Sequence, residues 1–330
     1  MDCYILNIIT FARFKFEIMN RTLKGYMLGT VAAACYGVNP VFALPMYKTG
    51  IQTDSILFYR YALSFLLMAL FIKHQGISLS IKRKEILPLF VMGVLYSCSS
   101  LFLFLSYRHM NAGIASTLLF VYPVLVMLIT SFFFHEKPSY ITIGAVAIVV
   151  TGVFLLYNGE GKSNLIGFIF VLISALTYAL YMVGVNFSAL REMETLKLTF
   201  YVLFFGSLIY VIRLRGCIDL QPLTTNSLWI YALALAIVPT IISLLFMIQA
   251  IQLVGALPTA VLGALEPITA VILSCLFLNE SLTTKNICGI CIIVFAVSLV
   301  IAEKQIQKHI CIYLNALAQH TNTHKLKRHR

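Results

Sequence analysis

Charge is what this chain has least of: Asp, Glu, Lys and Arg make up 11% of its residues, against about 25% in an ordinary soluble domain. That shortage excludes a soluble globular protein. Its apolar stretches show no period-two alternation, which excludes a transmembrane barrel. There is no phosphate-binding loop, no HExxH, no GxSxG and no pair of aspartates within an apolar stretch. Nucleotide-driven pumping and the commoner hydrolytic chemistries therefore lack their signatures, and no cofactor is called for. No filter-like loop or ring of charges points to a channel. The eight cysteines are scattered and suggest no disulfide framework. Cys288 and Cys291 form a CxxC inside a hydrophobic stretch, without a second pair or a histidine nearby. They read as two small packing residues one turn apart, and no metal site is expected.

What is present is apolar surface. Hydrophobic residues are 60% of the 330, the mean hydropathy is +0.93, and apolar runs recur from Gly25 to Ala302. A helix of about 20 apolar residues crosses the hydrocarbon layer with every backbone group satisfied internally. Hydropathy places spans near 25–46, 55–72, 86–106, 114–134, 141–157, 165–186, 197–213, 228–250, 258–278 and 286–302. Short turns join them, such as Tyr47-Lys48-Thr49-Gly50, His135-Glu136-Lys137-Pro138 and Asn158-Gly159-Glu160-Gly161.

The net charge of +12 sits at the two termini and in the 73–85 loop, with no basic recognition fold between them. It is a topology signal, and no nucleic acid is expected as a partner. With a cytoplasmic N-terminus, 17 of the 24 Lys and Arg face the cytoplasm and six the other side, with Arg60 inside a span. The positive-inside rule therefore puts both termini in the cytoplasm, as in a multi-pass protein of a bacterial inner membrane. Residues 1–24 form an N-terminal extension whose run Tyr4–Phe11 is too brief to span, and Met19 is a natural start for translation. Residues 303–330 form a basic tail at the membrane surface.

The chain also repeats itself. A slide of 144 residues lays 99–155 on 243–299 without a gap, pairing Pro123 with Pro267, Glu136 with Glu280, Ala112 with Ala256 and Tyr122 with Glu266. A slide of 142 pairs Gly25 with Gly167 and Tyr36 with Tyr178. Each copy, 25–157 and 165–302, holds five spans. Five is odd, so the second copy enters the membrane from the opposite side. Inverted repeats of this kind are a transporter architecture with the substrate site near the midplane between the halves.

These landmarks resemble the EamA-type carriers of the drug/metabolite transporter superfamily over about 25–302. They are Arg60 in the second span, Pro123 and Glu136 around the fourth, and Leu265-Glu266-Pro267 with Asn279-Glu280-Ser281-Leu282-Thr283 around the ninth. The resemblance implies an all-α integral membrane protein of ten transmembrane helices, two inverted five-helix repeats around a central cavity. It also implies alternating access and export of amino acids, related metabolites or toxic compounds. Departures are Tyr36, where many relatives carry Trp, and Tyr122, where the second half has Glu266.

Glu266 is the single acidic residue well inside a span. A buried carboxylate in lipid costs several kcal/mol unless paired, protonated or wetted. It is either a proton-coupling or substrate-amine site, or a structural anchor beside helix-breaking Pro267. Arg60, about six residues into its span, has three readings: snorkelling, pairing with Glu266, or holding a substrate carboxylate. Glu136 and Glu280 read as cap or loop anchors. A polar and aromatic set remains for a cavity: Tyr36, Asn39, Tyr96, Ser97, Ser99, Ser100, Tyr178, Tyr181, Asn186 and Gln249. Tyr36 and Tyr178, paired by the repeat, lead that set, because tyrosines can cradle a cationic or aromatic solute; each of the set can equally serve helix packing. Asn39-Pro40 is expected to break the first helix. The function expected is secondary transport of a small solute, with a membrane scaffold or sensor as the alternative and an intramembrane enzyme behind it. The partners are that solute and the lipid bilayer; nothing in the residues speaks to oligomeric state.

Overall fold

A computed structural model describes residues 21–110, 112–156 and 165–278, with isolated helical residues between 284 and 299. The N-terminal extension and Met19, the loop 158–161, Glu280 with its flanking motif, most of the 286–302 span and the tail 303–330 lie outside the described residues.

All regular structure among the described residues is helical. Six helices are long and apolar enough to cross a membrane: Arg21–Lys48, Thr53–His74, Arg83–Ser106, Leu165–Phe187, Thr195–Arg213 and Asn226–Val254, of 19 to 29 residues. Shorter apolar helices lie between and after them. Large apolar side chains face outward, and Leu87, Phe132, Phe133 and Ile212 are 69–77% exposed. Large apolar side chains this exposed mark a surface that meets lipid or another apolar face, and the polar side chains Ser64, Ser97, Ser100, Ser174 and Thr240 are turned inward instead.

Several helices are interrupted, and proline accounts for where. The first span consists of α1 (21–36) and α2 (Asn39–Lys48), separated at Gly37–Val38. After α3 (Thr53–His74) and α4 (Arg83–Ser106), the stretch read as one span over 114–134 is split into α5 (Ala112–Leu119) and α6 (Tyr122–Phe134). Then come α7 (Tyr140–Leu156), α8 (Leu165–Phe187) and α9 (Thr195–Arg213). The 258–278 stretch is likewise split, into α12 (Ala256–Leu262) and α13 (Leu265–Leu278). Pro40, Pro123 and Pro267 each fall in the first turn after the break, where a missing N–H costs nothing and the fixed φ suits a helix start. Between α10 (Asn226–Ala236) and α11 (Ser243–Val254) the helix continues but widens into a π segment, Ile237–Ile242, around Pro239.

Contacts between the two copies come in reciprocal pairs. A Cβ on Gly25 would lie 3.0 Å or less from Leu253 and Val254, and a Cβ on Gly167 would lie 3.0 Å from His109 and Met110. The sequence slides pair these residues one for one. Ser243 donates to Ala32 O at 2.9 Å, and Ser174 donates to Ser99 O at 2.7 Å; the slides again exchange donor helix for acceptor helix.

Candidate functional site

Three helix breaks meet around Tyr178. Tyr36 is the last residue of α1, Tyr122 the first of α6, and Glu266 the second of α13; Tyr178 stands in the middle of α8. Its ring stacks on Tyr36 with centroids 6.0 Å apart and meets Tyr122 edge-on at 4.8 Å. Glu266 is 7% exposed, and the Tyr122 hydroxyl is within hydrogen-bonding reach of its carboxylate. A carboxylate in the first turn of a helix also meets the positive end of the helix dipole. Both pairs of repeat-matched residues, Tyr36 with Tyr178 and Tyr122 with Glu266, therefore touch their own counterparts.

Two glycines make this geometry possible. At Gly263 an added Cβ would sit 1.5 Å from the Tyr122 hydroxyl, and at Gly37 it would sit 2.5 Å from Glu266 O. The first lets Tyr122 reach Glu266, and the second lets the break in the first span close on α13. The cleft between these elements is floored by Gly29, Ala32 and Ala33 and walled by Met182, Ser243, Met247 and Thr259. It has room for little more than a water molecule.

From Tyr178 the aromatic chain runs on through Tyr181, Tyr96, Tyr61 and Tyr210, with successive centroids 6.5, 5.2, 6.0 and 5.0 Å apart. Arg60 lies against this chain, its guanidinium 5.8 Å from the Tyr36 ring centroid and 5.9 Å from that of Tyr61. Arg60 does not snorkel: it is wholly buried. Nor does it form an ion pair with Glu266. Its Nε donates to Thr240 Oγ1 at 2.6 Å and its Nη2 to Pro239 O at 3.3 Å, so it clasps the π segment of the second half.

The remaining candidates divide. Ser99 and Ser174 bond each other, Ser100 bonds the Tyr61 hydroxyl at 2.8 Å, and Asn39 turns back to Tyr36 O at 2.9 Å. Ser97 bonds its own helix at Gly93 O. Asn186 is buried away from the cleft lining, and Gln249 is half-buried. Pro123 and Pro267 are buried at the breaks, whereas Glu136 is exposed and touches none of these groups. Cys288 and Cys291 are free and exposed. No cluster of His, Cys, Asp or Glu suited to a metal occurs among the described residues. Sequence reasoning missed Tyr61, Tyr210, Thr240, Met247 and Gly263. A tyrosine directly after Arg60 was the available signal for the first; the others are ordinary residues of apolar helices.

Comparison with known proteins bears on this arrangement. The EamA-like transporter family matches the chain twice, at residues 23–158 and 165–302. A Synechocystis protein named "Uncharacterized transporter sll1319" is 29% identical over 213 residues, 61% of this chain and 62% of its own length, which is under two thirds of that relative. The Bacillus subtilis "Uncharacterized transporter YcbK" is 25% identical over 275 residues, 80% of this chain and 87% of its own. The Salmonella typhimurium "Uncharacterized inner membrane transporter YicL" is 22% identical over 291 residues, 86% and 96% respectively. A solved crystal structure superimposes with a TM-score of 0.68 at 15% identity, covering 83% of this chain and 95% of the other, which speaks to the fold alone.

Proposed function

The chain belongs to the EamA-like transporter family, and from that premise we propose that it is a secondary transporter exporting a small amino acid-like or drug-like solute across a bacterial inner membrane. Its working unit is ten helices in two inverted repeats, 25–157 and 165–302, with both termini cytoplasmic. Reciprocal contacts support the inversion. Across a two-fold interface, if residue i meets j of the other half, the counterpart of j meets the counterpart of i. Gly25 and Gly167, and Ser243 and Ser174, obey this relation. A residue meets its own counterpart only beside the axis itself.

The observation that carries the proposal is that Tyr36 meets Tyr178 and Tyr122 meets Glu266 where three helix breaks come together, as residues beside such an axis would. A site on the axis of two inverted halves lies near the midplane, equally far from either face. Alternating access follows as rocking of one half against the other around it. The cleft as it stands admits no metabolite, so this arrangement is a closed stage of that cycle. Glu266 is the group through which a proton or a substrate amine couples to the motion. Without a phosphate-binding loop in the chain, the driving energy comes from a gradient or from exchange.

The test is solute flux in proteoliposomes, with and without a pH gradient, for wild type and Glu266→Gln. The expected outcome is gradient-responsive flux that falls by about tenfold or more in the variant. Flux that survives unchanged in Glu266→Gln would remove its coupling role. No flux of any solute from folded protein would favour a membrane scaffold.

A further inference from the structure

Arg60 is a buried cation without a counter-charge among the described residues. No carboxylate of a described residue lies within ion-pair distance of it; the nearest acid on its own helix, Asp54, is committed to Arg213 at 2.7 Å. Its Nε and Nη2 are taken up by Thr240 and Pro239, while Nη1, fully buried, has no hydrogen-bond partner. Two more donors stand idle in the same aromatic chain. The hydroxyls of Tyr96 and Tyr181, whose rings are 5.2 Å apart, are both buried without a partner. Tyr61 joins them to Arg60: the guanidinium is 5.9 Å from the centroid of its ring, which in turn is 6.0 Å from that of Tyr96.

An unsatisfied buried donor costs about 1–3 kcal/mol, and more when charged. Phenylalanine at 96 and 181 would pack as well without that penalty. An isolated buried charge is costlier still unless something neutralises it. Idle donors on the ring chain that packs against an uncompensated guanidinium call for an acceptor-only, negatively charged visitor. A carboxylate fits: it has two oxygens with about four lone-pair sites and accepts well from guanidinium and phenol alike.

We propose that Arg60, Tyr96 and Tyr181 form the recognition site for the carboxylate of the transported solute. This rests on the carrier reading above and narrows it to solutes that carry such a group. In the closed arrangement the π segment holds Arg60 through Pro239 O and Thr240. A carboxylate entering from either side takes up the idle Nη1 and engages the two tyrosines while Nε and Nη2 hold Thr240 and Pro239, so that the bound solute and the second half meet at one side chain.

The two tyrosines allow a test that spares the fold, because neither hydroxyl bonds to another described group. Full-length protein in proteoliposomes would be offered labelled L-amino acids and short mono- and dicarboxylates, each beside its primary amide. Wild type, Tyr96→Phe, Tyr181→Phe and Arg60→Lys would be compared, with thermal melts of each. Wild type is expected to prefer acids over amides by about tenfold or more. Both phenylalanine variants should keep or raise the melting temperature while the acid-to-amide ratio collapses toward one. Amide flux equal to acid flux in wild type, or a ratio unmoved in both phenylalanine variants, would overturn the carboxylate site and leave the carrier reading standing. Absence of flux of either class from protein that melts cooperatively would overturn both.

Discussion

A Cβ on Gly263 would lie 1.5 Å from the Tyr122 hydroxyl and 2.8 Å from its Cζ, although the backbone there, at φ −56°, would accept any L-residue. Space alone therefore demands glycine. Gly263→Ala is expected to destabilise the protein by about 1–3 kcal/mol, the usual cost of overpacking, and to push Tyr122 off Glu266. Adding Tyr122→Phe should recover part of that loss, because the tightest clash disappears, and thermal melts of the four proteins of the double-mutant cycle would measure the coupling. Additive losses would mean that Tyr122 moves aside freely. At this scale Glu266 and Arg60 were conspicuous in the sequence, since charges within spans are rare. Their partners were not. Tyr122 and Thr240 are separated from them by more than a hundred positions, and no local pattern links a buried donor to an acceptor on another helix.

Breaks, rather than lengths, distinguish the elements. The first span was expected to part at Asn39-Pro40 and does so two residues earlier, at Gly37–Val38. The 114–134 and 258–278 stretches were expected to be continuous and are not. Their prolines are landmarks of the repeat, but hydropathy is blind to whether a proline kinks a helix or ends it; that depends on whether neighbours fill the gap. Ser174→Ala and Ser243→Ala test the equivalence of the two copies. Each removes the matched bond to a backbone carbonyl on another helix, Ser99 O or Ala32 O, worth about 0.6 kcal/mol in a membrane protein, and Ser174→Ala also removes the hydroxyl contact with Ser99 Oγ. Both melting temperatures should fall, that of Ser174→Ala somewhat further; a loss confined to one would argue that only that contact holds the halves together.

At the scale of the molecule, one end of the bundle is tied shut between the copies. Arg213 grips Asp54 with both arms, Nε at 2.7 Å and Nη2 at 3.0 Å. Gln221 accepts from Gln52 N and donates to Ser55 Oγ through its own N–H, and Tyr59 donates to Gln221 O. An exposed ion pair contributes little stability alone, so this set suits a closure that opens readily. Under the proposed orientation it faces outward. Cysteines at 54 and 213, joined by a short reducible bifunctional reagent, should arrest flux, and reduction should restore it. Wild type treated identically, with its native cysteines, should keep its flux. Unimpaired flux in the joined protein would mean that this end does not open during transport.

The sequence by itself determined that the chain is a multi-pass helical membrane protein, where most of its spans lie, and that its two parts are related. Those properties are local: hydropathy is summed over about 20 residues, and proline or glutamate landmarks keep their spacing whatever the chain packs against. It also paired Tyr36 with Tyr178 and Tyr122 with Glu266, without saying that the paired residues touch. Only the tertiary structure decided that Tyr36 stacks on Tyr178, that Tyr122 faces Glu266, and that Arg60 turns inward to the π segment instead of outward to an interface. Each of those outcomes depends on which face of a helix meets which neighbour. In a helix that is apolar on every side, no periodicity in the sequence records that choice.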